Sequence, residues 1–236
     1  MAFLQRAARL AATSSKQHAC SFASRAGKTY LVTGGNGCIG AWVVKLLLER
    51  GDRPVIFDAG GDTRRISALL ENPSDVDAVE LIQGDIRSPE VVSKAVRDSG
   101  AERIVHLAGH QIPLCREDPA AGGAVNVIGT LNVFEAARAC GISQVAYASS
   151  AAVYGPDDCN ADGGTKGPPR ECDAANPTTH YGVFKQANEG NARVYFADCG
   201  ISSVGLRPLT VYGVGRDFGM TSDPTRAMKA AVAVSP

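Results

Sequence analysis

The sequence predicts an α/β protein built on a doubly wound parallel sheet, and three observations predict it. Short apolar runs recur along the chain, segments with helical spacing separate them, and the first run breaks into a glycine cluster from which a helix emerges. The runs are continuous rather than alternating, as in strands buried on both faces.

The first strand is Thr29–Thr33. Ile39, Trp42, Val43, Leu46 and Leu47 then recur at i, i+3, i+4, i+7 and i+8, which predicts a helix, and Gly51 supplies its stop. Strands follow at Val55–Asp58 and Val79–Ile82. Ser88 and Pro89 offer an N-cap and a first-turn proline to a helix that ends before Gly100. Ile104–Ala108 is the fourth strand, and a helix from Asn126 to Cys140 closes at Gly141. Val145–Ser149 and Ser203–Leu206 complete the sheet. Gly155 to Pro177, rich in Pro, Gly and Asp, reads as a long loop over a ligand cleft. The sheet domain spans residues 27–215, and residues 216–236 begin a further lobe.

Lysine plus arginine and aspartate plus glutamate number 24 each in 236 residues, so overall charge argues for neither a nucleic-acid partner nor an anionic membrane surface. No apolar run approaches the roughly 18 residues of a membrane-spanning helix. The seven cysteines, Cys20, Cys38, Cys115, Cys140, Cys159, Cys172 and Cys199, are scattered without a C-x-x-C pair or histidines at metal spacing. They read as reduced thiols in an intracellular compartment, with no metal centre. No acid precedes Glu49, whereas Arg6, Arg9, Lys16 and Arg25 all lie ahead of Gly27. At about 100° per residue, Phe3, Leu4, Ala7, Leu10 and Ala11 share one helical face and Arg6, Arg9 and Lys16 the other. Residues 1–26 therefore read as a transit peptide for the mitochondrion or a plastid, the alternative being a disordered basic tail on a cytoplasmic protein.

The stretch Gly34-Gly35-Asn36-Gly37-Cys38-Ile39-Gly40 follows a strand and opens a helix, the context in which glycines mark a dinucleotide site. Without side chains the turn can be tight, the backbone N–H groups can approach a pyrophosphate, and the helix N-terminus can face the anion. Asp58 ends the second strand, where a carboxylate accepts hydrogen bonds from the adenosine ribose and repels a 2′-phosphate, which favours NAD over NADP. Arg64 and Arg65 lie nearby and weaken that preference, although a solvated helix face suits them better.

Thr33-Gly-Gly-Asn-Gly-Cys-Ile-Gly40 resembles the extended branch of the short-chain dehydrogenase/reductase superfamily, the NAD-dependent epimerase/dehydratase family. The resemblance continues through Gly84-Asp85-Ile86, His106-Leu-Ala-Gly109, Asn126-Val-Ile-Gly-Thr130, Ser149-Ser-Ala-Ala-Val-Tyr-Gly155, Tyr181-Gly-Val-Phe-Lys185 and Leu206-Arg-Pro-Leu-Thr-Val-Tyr-Gly213. It implies a Rossmann-type sheet whose C-terminal substrate lobe is largely missing from this chain. It also implies a cofactor site of Gly34, Gly37, Cys38, Ile39, Gly40 and Asp58, with Asp85 and Ile86 flanking the adenine. Leu107, Ala108 and Gly109 would line the phosphates and ribose, and Pro208 the nicotinamide.

Tyr181 and Lys185 stand four apart with helical spacing and can meet on one face. A free phenol, with pKa about 10, is a poor base at neutral pH; a neighbouring ammonium and an oxidised nicotinamide would favour the phenolate. In the family that tyrosine moves the proton of the substrate hydroxyl, the lysine also holds the nicotinamide ribose, and Ser150 aligns with the hydroxyl that binds the reacting oxygen. Ser149 fits a structural role, His106 a buried core position, and Asn126 either a helix brace or a share in catalysis. Phe184 replaces a commonly small residue. Dehydratases of the family carry Asp-Glu where this chain has Ala151-Ala152, which argues against dehydration.

The expected activity is NAD-dependent epimerisation or oxidation of a sugar or nucleotide-sugar. A sugar-acid dehydrogenase and a non-catalytic NAD-binding protein are the alternatives, and homodimerisation is left open.

Overall fold

The computed structural model describes residues 27–156, 169–217, 219 and 221–234. The basic N-terminal segment and residues 157–168 of the expected loop lie outside the described residues.

Six strands form one parallel sheet: β1 (Thr29–Thr33), β2 (Arg53–Asp58), β3 (Glu80–Gln83), β4 (Arg103–His106), β5 (Gln144–Ala148) and β6 (Ser202–Leu206). Their order is β3-β2-β1-β4-β5-β6, so the winding reverses between β1 and β4. At such a reversal the connections leave in opposite directions and a crevice opens at the carboxyl ends of the strands.

Helices α1 (Cys38–Glu49) and α2 (Arg64–Ser67) lie on one face, where Ala41, Val44, Leu47 and Ile66 pack on Tyr30, Val32 and Ile56. On the other face lie α3 (Pro89–Ser99), α6 (Gly129–Ala139) and α7 (His180–Cys199). Val92, Val96, Val133, Phe134 and Ala192 from those helices meet Leu31, Val55, Phe57, Ile104 and Tyr147. Short α4 (Ile112–Glu117) and α5 (Pro119–Gly123) lead through a π-helical turn, Ala124–Ile128, into α6. Helix α8 (Asp223–Val234) follows β6, where the further lobe was expected to begin.

The periodic apolar positions predicted α1, and of them Leu47 is buried and Val43 packs partly against the core. Gly40, Ala41, Val44 and Leu47 touch the sheet, while Ile39, Trp42 and Leu46 stay exposed. The helix starts so close to the glycine turn that its first contacts are made by Gly40 and Ala41, with Val44 and Leu47 continuing the face.

One polar tie binds the sheet at its reversal. The Thr33 hydroxyl accepts from the Leu107 and Ala108 amides at 3.2 and 3.3 Å and lies 2.7 Å from His106 Nδ1. With those two donors already directed at its oxygen, Thr33 gives its own proton to Nδ1. The ring proton therefore sits on Nε2 and is donated to Thr130 Oγ1 at 2.9 Å, and Thr130 passes its proton to the Asn126 carbonyl at 2.7 Å. Burial, with the Lys185 charge adding to it, pushes the His106 pKa down to about 3.

The unfolded chain takes up a proton at His106 below about pH 6.5 while the folded chain resists until about pH 3. This contribution to stability is therefore full above pH 6.5 and falls as the medium is acidified. Urea unfolding should show the parent losing about 2 kcal/mol more than His106→Gln between about pH 7 and about pH 5. Equal losses would show that His106 is not held neutral.

Candidate cofactor and proton-transfer site

Directly after β1 the chain turns through Gly34, whose φ of +69° lies in the left-handed region. A Cβ there would stand 2.7 Å from the Ala108 nitrogen, and one on Gly40 would stand 2.3 Å from the Gly34 carbonyl oxygen. Only glycine lets the turn pass this close to β4 and α1 start this close to the turn. Gly37 is the N-cap of α1 with no side chain capping it, so the first amides of the helix remain available to an anion.

A cavity of about 530 Å³ opens over this turn. Gly34, Gly37, Cys38, Ile39, Gly40, Asp58, Asp85, Ile86, Leu107, Ala108 and Gly109 all line it, which brings together every sequence-predicted cofactor residue except Lys185 and Pro208. Pro208 lies outside this lining; its carbonyl accepts from the Ala151 amide at 3.0 Å and so fixes the Ser150 turn. The sequence patterns missed Gln111 and Arg216 in the lining, because side chains brought in from separate loops leave no local spacing, and they passed over Asn36 and Arg87, which sit within or beside the motifs.

Asp58 holds the loop together. Its two oxygens accept from the Asn36 and Gly60 amides at 3.1 and 3.0 Å, and each keeps a lone pair for a ribose hydroxyl. Asp85 is paired with Arg87 through both oxygens, and that hydrogen bonding holds its carboxyl below the usual range. Arg64 pairs with Asp62 in solvent. Arg65 is not a solvated side chain: it donates to the Gly215 carbonyl at 3.0 Å and the Asn36 carbonyl at 3.2 Å.

At the far end of the crevice, β5 delivers Ser150 and α7 delivers Tyr181 and Lys185. Thr179 caps α7 by accepting from the Gly182 amide at 3.0 Å. A Cβ on Gly182 would lie 2.5 Å from the Ala152 carbonyl oxygen, so the helix start is pressed against the Ser150 turn. Burial raises the Tyr181 phenol above its ordinary value, and the Ser150 hydroxyl beside it draws it partly back.

Lys185 is 5% exposed, with Nζ 2.7 Å from the Ala148 carbonyl oxygen and 5.5 Å from the centre of the Tyr181 ring. Burial pushes its pKa down to about 8. Nearby, Asn126 Nδ2 donates to the His110 carbonyl and to Cys115 Sγ, both at 3.1 Å. Those acceptors set the orientation of the amide, and Oδ1 is buried with no partner among the described residues. A Cβ on Gly109 would lie 2.6 Å from that oxygen and 3.6 Å from Lys185 Nζ. The missing side chain thus leaves an acceptor and an ammonium facing one small space, a donor set that suits the hydroxyls of a cofactor ribose. Ser149 turns away and donates to Glu189, which is also paired with Arg207. Phe184 reaches toward Gly123. No group of three or more metal-ligating side chains occurs among the described residues, and no described helix is long and apolar enough to cross a membrane.

A Rossmann-type sheet with a glycine turn, an acid ending β2 and a Ser/Tyr/Lys group at the crevice defines a dinucleotide-dependent enzyme class. Residues 30–234 match the NAD dependent epimerase/dehydratase family, and the chain belongs to it. It is 30% identical over 191 residues to a decarboxylating sterol-4-alpha-carboxylate 3-dehydrogenase of Saccharomyces cerevisiae, covering 78% of this chain and 51% of that protein. It is 31% identical over 196 residues to UDP-glucuronate 4-epimerase 4 of Arabidopsis thaliana, covering 79% of this chain and 42% of that protein. The structure superimposes on Brucella ovis UDP-glucose 4-epimerase, solved in complex with NAD, with a TM-score of 0.69, 28% identity and coverage of 88% of this chain and 62% of that one. The chain spans about half the length of the curated relatives it matches. NAD is the cofactor of the family, and the cavity fits it.

Asp58 should make the chain prefer NAD to NADP by about tenfold or more, since a 2′-phosphate would meet a carboxylate already fixed by two amides. Isothermal titration with both dinucleotides checks this, and Asp58→Ala should narrow the gap. A preference for NADP would refute the assignment.

Proposed function

We propose that the chain carries the cofactor-binding and proton-transfer half of an NAD-dependent epimerase or oxidoreductase acting on a sugar or nucleotide-sugar. The observation that carries this reading is Tyr181 set beside buried Lys185, whose Nζ lies 5.5 Å from the centre of the phenol ring, next to a cavity shaped for a dinucleotide. Bound NAD supplies the acceptor for a hydride. The chain does the rest: Tyr181 removes the hydroxyl proton of the substrate, and Ser150 donates a hydrogen bond to the same oxygen. Lys185 and Asn126 Oδ1 hold the ribose side of the cofactor. The similarity to a UDP-glucuronate epimerase supports the sugar nucleotide. The similarity to a sterol-carboxylate dehydrogenase supports a second reading, oxidation with net release of NADH.

Tyr181→Phe should lower turnover by about 10²- to 10⁴-fold, the usual worth of a positioned acid–base group. NAD affinity should stay within about twofold of the parent, since the phenol is not needed to hold the cofactor. Assays across UDP-sugars, free sugars and sugar acids, following both epimer formation and NADH, separate the two readings. Turnover unaffected by the substitution would remove Tyr181 from the reaction.

A further inference from the structure

Arg216 stands at the mouth of the cofactor cavity, and no sequence motif assigns it a role. We propose that its guanidinium binds the pyrophosphate of the dinucleotide, carried there by residues 213–217, which form a strap across the crevice; the proposal rests on the NAD reading above.

The strap is built and anchored. Gly213 and Gly215 have φ of +123° and +88°, in the left-handed region that side-chain-bearing residues avoid, and the Arg216 amide closes a turn on the Gly213 carbonyl at 3.0 Å. Trp42 Nε1 on α1 donates to the Val214 carbonyl at 3.0 Å, and Arg65 donates to the Gly215 carbonyl at the same distance. Because Arg65 also donates to the Asn36 carbonyl, one guanidinium ties the strap to the glycine turn. From behind, Thr225 Oγ1 accepts from the Gly213 amide at 2.9 Å.

These anchors bring Arg216 into the lining of the same cavity as Gly34 and Gly37 to Gly40. Its nearest contacts hold it without neutralising it. Nε and NH2 donate to Thr221 Oγ1 at 3.1 and 2.6 Å, and NH2 reaches Gln111 Oε1, in the loop after β4, at 3.4 Å. Among the described residues no carboxylate pairs with Arg216, whereas Arg64 has Asp62, Arg87 has Asp85, and the adjacent Asp217 is taken by Lys229. Its charge reaches Cys38, the first residue of α1. A cation with only neutral partners, fixed near uncapped helix amides, is complementary to a diphosphate, and a planar guanidinium can bind one through two parallel hydrogen bonds. The reversal point then has a charge on its strap as well as partial charges on its helix.

The test uses the full chain, its Arg216→Gln and Arg216→Lys variants, and calorimetric titration with NAD, ADP, adenosine and UDP. In Arg216→Gln, NAD and ADP should bind about ten- to a hundredfold more weakly while adenosine, which has no phosphate, stays within about twofold. Arg216→Lys should fall between, and the dependence of NAD affinity on salt should be shallower in Arg216→Gln than in the parent. Unchanged NAD and ADP affinity would overturn the proposal. So would equal weakening of adenosine, the sign of a collapsed strap, or weakening of UDP alone, which would place the residue on a nucleotide-sugar diphosphate. Failure of the parent itself to bind NAD would instead overturn the reading of the cavity. If Arg216→Gln does not fold, the ratio of ADP to adenosine affinity in Arg216→Lys decides.

Discussion

The site depends on how closely the ends of β1 and β4 approach where the sheet reverses, and the Thr33 hydroxyl sets that approach. It is buried, accepts two amides from the start of the loop after β4, and gives its proton to a histidine that burial keeps neutral. Each of these bonds constrains the next. If Thr33 lost its hydroxyl, the Leu107 amide would keep the Thr33 carbonyl at 3.0 Å, but the Ala108 amide and a ring nitrogen would be left without partners, each costing about 1–3 kcal/mol. The closeness so achieved is why Gly34 has no room for a Cβ beside Ala108, and why the dinucleotide crevice has the backbone of two strands for its floor.

The same tie runs on to the chemistry. His106 leads to Thr130, Thr130 to the Asn126 carbonyl, and Asn188 Nδ2 on α7 donates to both of the latter, at 3.1 Å to Thr130 and 2.8 Å to the Asn126 carbonyl. This chain fastens the helix bearing Tyr181 and Lys185 to the strand carrying the cofactor wall. Asn126 sits in the π-helical turn at Ala124–Ile128, and its carbonyl accepts from both side-chain donors there. Lys185 would be costly as a buried charge with a single carbonyl partner, and burial accordingly lowers its pKa. Its placement beside the unpartnered Asn126 oxygen makes sense if both groups complete their hydrogen bonds on a ligand.

Local patterns in the chain carried the parts of this arrangement that depend on neighbours in sequence. Strand runs, the glycine turn, the acid at the end of β2 and the Tyr181/Lys185 spacing are all local, and each was legible. What escaped was set by contacts across the fold. The outward ridge of Ile39, Trp42 and Leu46 has as strong a helical period as the buried face, and only the tight start of α1 at Gly40 decides between them. Arg65 looked like a solvated residue because its partners, Asn36 and Gly215, come from opposite ends of the chain. Asn126 could be read as brace or participant, and the structure shows a reason for the ambiguity: its backbone carbonyl braces two helices while its side chain faces the site.

The side chains around the reacting centre also restrict the chemistry. Eliminating water from a sugar requires an acid for the leaving hydroxyl and a base for the neighbouring C–H, beyond the group that handles the oxidised alcohol. The two positions after Ser150 carry only methyl groups, and the Ala151 amide is committed to the Pro208 carbonyl, so this turn offers no such pair. It offers one phenol, raised by burial, which suits a proton that leaves an alcohol oxygen and returns to it. Reversible oxidation needs no more than that from the protein. Under the proposed function, whether an oxidised substrate is reduced again on its other face or released depends on how long it is held, a property of the contacts made to the rest of the substrate rather than of Ser150, Tyr181 and Lys185.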